Sequence, residues 1–172
     1  MRPCPVRVED AFPARGIARR PLPRRSLRLW SVRHARALAA VYRGFERVLR
    51  GAHPLFARIG YARLERPVAR AELAVKSVLF DCRMCGQCVL SVTGLSCPMN
   101  CPKGLRNGPC GGVRDNGNCE VRPDMPCVWV QAYAGAERIG TVARMGEARA
   151  PIDHRRAGSS SWLQVARGDA AS

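Results

Sequence analysis

Eight cysteines fall within 46 residues, at Cys82, Cys85, Cys88, Cys97, Cys101, Cys110, Cys119 and Cys127, with intervals of x2, x2, x8, x3, x8, x8 and x7. No apolar core needs thiols at that density. Thiolates bind soft metals, and eight of them suffice for two four-ligand sites. Between Gly86 and Pro126 the same stretch holds twelve glycines and prolines. It therefore reads as loop-dominated chain whose shape is set by what the cysteines hold. A structural metal contributes on the order of 10 kcal/mol to such a site. With 172 residues and only 6% aromatics, the chain can bury a modest core and gains from that help.

The rest of the chain reads as support. The pattern predicts a mainly α fold with little or no β-sheet, a cysteine-rich, loop-rich metal-binding domain at 81–138, and disordered termini at 1–25 and 139–172. Residues 26–80 read as a helical segment of two helices. Trp30, His34, Leu38, Val41, Phe45 and Val48 recur at spacings of three and four, which predicts a helix over 26–50 with Ser26 as cap. His34 on that stripe reads as a packing residue. Residues 52–66 read as a loose connection. Pro67 suits the first turn of a second helix over 67–80, with Val68, Ala71, Val75 and Val78 as its buried line. Asp115–Gly117 is a turn signal, and Val128–Tyr133 a short helix. Trp162, Leu163 and Val165 fall in the expected tail. Cys4 reads as a lone exposed thiol.

The net charge of +16 is uneven, since residues 1–50 hold 13 arginines against three acids. Only Lys76 and Lys103 among the 29 basic residues are lysine. Such an arginine bias suits a GC-rich genome at least as well as a phosphate-binding face, and nucleic-acid binding, which would want a basic face interleaved with aromatics, is not the expectation. No apolar run is long enough to span a membrane, and no secretory signal pattern stands at the N-terminus. A cytoplasmic, reducing compartment is the expectation, where clustered cysteines serve as metal ligands before disulfides. Gly108–Gly112 lacks the lysine and hydroxyl of a phosphate loop. The three histidines, His34, His53 and His154, lie outside the cysteine region, so Cys–His nucleophilic catalysis is not expected and no catalytic residue is assigned. Lys76 reads either as a solvated lysine or as a cation beside an anionic cluster. Arg106 and Asn107 are candidates for a partner-facing or tuning role, or else for holding loop backbone.

On spacing alone, three readings of the cysteines stay open. Cys82-x2-Cys85-x2-Cys88 opens like a ferredoxin-type iron–sulfur run, whose fourth ligand is a Cys-Pro. Cys97-Pro98 and Cys101-Pro102 follow, but after x8 where x3 is usual. Two Cys4 zinc sites are the second reading, although paired knuckles are absent. A mixed cluster-and-zinc arrangement, or disulfides, is the third. By count, the first reading gives two 4Fe–4S clusters.

The wording around the cysteines adds a resemblance. Cys82-Arg-Met-Cys-Gly-Gln-Cys88, Ser96-Cys-Pro-Met-Asn-Cys101-Pro, Leu105-Arg-Asn-Gly-Pro-Cys110-Gly-Gly and Cys127-Val-Trp-Val-Gln-Ala-Tyr133 closely resemble the C-terminal domain family of methylenetetrahydrofolate reductase, over about residues 70–138. The resemblance implies a small iron–sulfur subunit, with all eight motif cysteines as ligands. It implies a separate flavin-binding catalytic subunit as partner, one that reduces 5,10-methylenetetrahydrofolate. A flavin barrel needs about 250 residues, so no flavin is expected on this chain.

Overall fold

A computed structural model of the chain describes residues 25–108 and 110–168. The readings of 1–25 as tail (bar Arg25) and of Cys4 as a lone thiol lie outside the described residues. Seven α-helices occur among those described: α1 Arg25–Arg33, α2 Ala35–Gly51, α3 His53–Ile59, α4 Tyr61–Phe80, α5 Val128–Ile139, α6 Val142–Met145 and α7 Ser161–Arg167. Two single 3₁₀ turns, Pro98–Asn100 and His154–Arg156, complete the regular structure. No strand occurs among the described residues, only isolated bridges Val113 to Cys119 and Asn118 to Pro126. The mainly helical, cysteine-rich fold expected from the sequence is what is found.

The helical boundaries differ from the reading in three places. The helix over 26–50 is broken at His34, whose ring is exposed, stacks on Trp30 at 4.5 Å and accepts no core role. The loose connection over 52–66 is instead α3 and the first turn and a half of α4, so Pro67 lies inside a helix. There it removes one N–H from the ladder, a local loss that packing of α4 against α1 and α7 offsets. The largest difference is the face each helix buries. Val41 and Val48 are 69% and 68% exposed, and Val75 and Val78 are exposed too. The buried positions are Ala35, Ala39 and Leu49 on α2, and Glu72, Lys76 and Phe80 on α4. Each helix is thus turned by about one residue, roughly 100°, from its apolar stripe.

The last 30 described residues are the fourth correction. Chain expected to be a disordered tail folds as α6, a 3₁₀ turn and α7. Leu163 is only 1% exposed, and Leu49, Val165 and Ala166 form one core cluster with Phe45 and Trp162 packed on it. Ser160 caps α7 by accepting from Leu163 N at 3.3 Å. α7 packs on both α2 and α4.

The loop 89–100 is fixed to the helices by buried side chains. Thr93 Oγ1 donates to Ser96 O at 2.8 Å, Ser96 Oγ to Val128 O at 3.0 Å, and Asn100 Nδ2 to Phe80 O at 2.9 Å. Gly94 crosses α5 at Gly135 so closely that a Cβ on either would overlap backbone of the other. Two glycines are required there because any side chain would separate loop from helix.

Candidate metal centre

The first three cysteines follow the end of α4 directly, because Asp81 adopts a left-handed conformation (φ 53°) that ends the helix and turns the chain back. Cys82, Cys85, Cys88 and Cys97 then line one small cavity with Glu72 and Lys76. Its volume is about 20 Å³, roughly the room of one water. Burial pushes the Cys82 thiol up to about 11, and burial holds the buried Cys97 thiol higher still. Both are therefore protonated without a bound cation, and binding one must release their protons.

Backbone and side-chain donors already address these sulfurs. Met84 N donates to Cys82 Sγ at 3.3 Å, and Lys76 Nζ to Cys88 Sγ at 3.4 Å. The loop is held from outside by the C-terminal segment. Gly158 N donates to Met84 O at 2.8 Å, Gln164 Nε2 to Gly86 O at 2.9 Å, and Gln87 Nε2 to Asp153 O at 3.1 Å. Gly86 has φ 72°, and a Cβ there would run into Arg156 O and Ser159 Oγ.

Lys76 settles one alternative left open by the sequence: it is not solvated. It is 4% exposed, and Glu72 is 1% exposed. The ammonium donates to Glu72 Oε1 at 2.6 Å and to Ser161 Oγ at 2.8 Å, besides Cys88. Burial opposes its charge, but Cys88 and Glu72 outweigh burial and hold its pKa above that of an ordinary lysine. Glu72 also accepts from Ser161 Oγ at 2.5 Å, Ser160 Oγ at 2.7 Å and Trp162 N at 3.1 Å. Sequence reading missed Glu72, Ser160 and Ser161. The signal was present as a Glu–Lys pair four apart, of which the sequence reading considered only Lys76.

The other four cysteines lie in the second half of the loop region. Cys101 and Cys127 share a cluster with Trp129, whose indole N–H is buried and has no acceptor among the described residues. Cys119 pairs its N–H with Met125 O at 2.9 Å, across the short ladder that carries Cys127. Gly112 N donates to Cys110 Sγ at 3.4 Å, and Lys103, bonded to Glu120, lies beside Cys110. Among the described residues no three histidine, cysteine or acidic side chains stand close enough to enclose one ion, and the eight thiols are unbridged. Arg106 and Asn107 hold backbone: Arg106 Nε donates to Ala150 O at 3.1 Å and Asn107 Nδ2 to Arg149 O at 2.8 Å. The turn at Asp115–Gly117 is found, with Gly117 N donating to Arg114 O at 2.8 Å. No helix among the described residues is long and apolar enough to cross a membrane.

In comparison with known families, residues 61–155, or 95 of the 172, match the one described as "Methylene-tetrahydrofolate reductase C terminal". No curated protein and no solved structure matches the chain.

Proposed function

Because the chain belongs to the methylenetetrahydrofolate reductase C-terminal family, we propose that it is an iron–sulfur accessory subunit for a separate flavin-bearing reductase chain. The observation that carries this reading is the division of the thiols, with Cys82, Cys85, Cys88 and Cys97 around one cavity and Cys101, Cys110, Cys119 and Cys127 beyond it. In this reading each set holds one 4Fe–4S cluster, which when bound takes up and gives back one electron. The residues suit such a group. All the donors are sulfur, and Met84 N, Lys76 and Gly112 N supply N–H groups to three of them, while the Trp129 side chain packs with Cys101 and Cys127. The chain is not catalytic alone and works in the cytoplasm, where its thiols stay reduced. Metal content tests the assignment. Anaerobically purified protein is expected to carry roughly eight irons with equal sulfide. Zinc at about two per chain, without visible charge-transfer absorption, would reverse it in favour of a zinc-stabilised interaction module. Electron transfer itself is tested with Cys85→Ser and Cys110→Ser. Flavin reduction in the partner is expected to fail with either, and an unchanged rate would exclude a redox role.

The partner surface in this reading is formed by the stripe valines that the fold leaves exposed, Val41, Val48, Val75 and Val78. Val41 and Val75 border a groove of about 280 Å³ between α2 and α4, with Cys88 among its lining residues. An apolar partner surface seated there comes close to the first thiol set. Val41→Asp and Val75→Asp are expected to change stability by less than about 0.5 kcal/mol, as exposed sites do, while weakening co-purification with the flavoprotein about tenfold or more. Equal co-purification would place the interface elsewhere.

A further inference from the structure

We infer that Lys76 is a positioning residue that sets the electron affinity of the group bound through Cys88, with Glu72 holding it in place. The inference rests on the iron–sulfur reading above and adds to it a mechanism for tuning. An ammonium has three N–H donors and no acceptor. Here two are taken by Glu72 and Ser161, and the third is aimed at Cys88 Sγ. The pair Glu72–Lys76 is neutral as a unit, so Cys88 is not needed to balance a buried charge. The hydrogen bond to sulfur is thus a further, directed interaction.

The scaffold around the pair is more than a lone ion pair requires. Two hydroxyls and a backbone N–H from the start of α7 occupy the remaining carboxylate lone pairs. The Trp162 ring lies 5.7 Å from the ammonium. Lys76 cannot leave Cys88 without breaking contacts to two helices. Composition points the same way. Twenty-seven of the 29 basic residues are arginine, and the two lysines each stand beside a cysteine, Lys76 at Cys88 and Lys103 at Cys110. A compact ammonium fits three converging acceptors, whereas the planar guanidinium fork does not.

The physical consequence is electrostatic. Reduction adds one electron and one negative charge to the sulfur-ligated group, with no bond made or broken. A donor hydrogen bond and a nearby cation stabilise the charge-richer state, and low dielectric magnifies both. Lys76 therefore raises the midpoint potential, and Glu72 restrains that rise.

The test is a spectroscopically monitored redox titration of the full, anaerobically purified chain. Wild type, Lys76→Met and Glu72→Gln are compared after iron and sulfide are measured on each. Lys76→Met is expected to shift the ratio of oxidised to reduced cluster about tenfold towards oxidised at a fixed potential, which is about 59 mV downward for one electron. Glu72→Gln is expected to shift the midpoint upward. Opposite signs are a result that mere loosening of the fold does not give. Iron-loaded variants with the wild-type midpoint overturn the inference and leave the iron–sulfur reading standing. Wild type that carries zinc without iron overturns both. If Lys76→Met fails to fold, Lys76→Arg carries the test. It keeps the charge but not the three-way geometry, and its midpoint is expected between those of wild type and a charge-free site. A Lys76→Arg midpoint equal to wild type overturns the hydrogen-bond assignment.

Discussion

Glu72→Ala is expected to destabilise the fold by about 3–5 kcal/mol, the cost of leaving one partner of a buried ion pair alone. Lys76 would stay 4% exposed, with only Ser161 and Cys88 to receive its N–H groups. Ser160 Oγ, Ser161 Oγ and Trp162 N would lose their shared acceptor, so the start of α7 should loosen with the pair. Denaturant midpoints at matched metal content measure the loss, and limited proteolysis within 150–160 locates it. Replacing both partners, Glu72→Leu with Lys76→Leu, should cost less than the single change, because no orphan charge remains. A loss below about 1 kcal/mol for the single variant would show that water reaches the ammonium, contrary to the burial described.

Gly94→Val is expected to be comparably damaging for an unrelated reason. Gly94 has φ 54°, and its would-be Cβ falls on Ala136 N and Gly135 C. A β-branched residue is strained at that angle, and here the obstruction is backbone, which cannot rotate away. A loss of about 3 kcal/mol or more follows. Trp129, 3% exposed on α5, should lose its near-ultraviolet circular dichroism as the loop lifts from the helix. Gly94→Ala meets the same obstruction with less bulk and should lose less. An unchanged midpoint for Gly94→Val would mean that loop and helix do not cross as described.

The cysteine region was legible because thiol density has few other meanings and because glycine and proline mark loop chain whatever packs around it. The turn at Asp115–Gly117 and the helix from Val128 came from equally local signals. What escaped was tertiary. Periodicity found the stripe Leu38, Val41, Phe45 and Val48 and took it as the buried face. The fold turns α2 and α4 so that a Glu–Lys pair goes inside and valines stay outside. A pattern of residue types cannot announce that a charged pair is buried, since the partners that make burial tolerable, Ser160 and Ser161, stand almost 90 residues further on. The same separation hid α7. Its seven residues are too short to form a stable helix alone, and they are ordered by α2 and α4 rather than by their own sequence. Pro67 misled for the reverse reason: its preference for a first turn is real, but a long, well-packed helix tolerates the missing hydrogen bond.

The contacts of α7 with Glu72 and of Gln164 and Gly158 with the Cys82–Cys88 loop also set an order of assembly. A chain is synthesised from its amino end, and Ser160 is added sixty-three residues after Cys97. At roughly 5–20 residues per second, that interval lasts about 3–13 s. During it the first four thiols exist while the segment that will fasten their loop does not. In the reading proposed above, metal delivered to the nascent chain would meet this loop before the C-terminal segment fastens it. If the iron–sulfur reading holds, metal delivered to the finished chain meets a loop already fastened by Gly158 N to Met84 O and by Gln164 Nε2 to Gly86 O, so the timing of delivery would bear on loading alongside affinity.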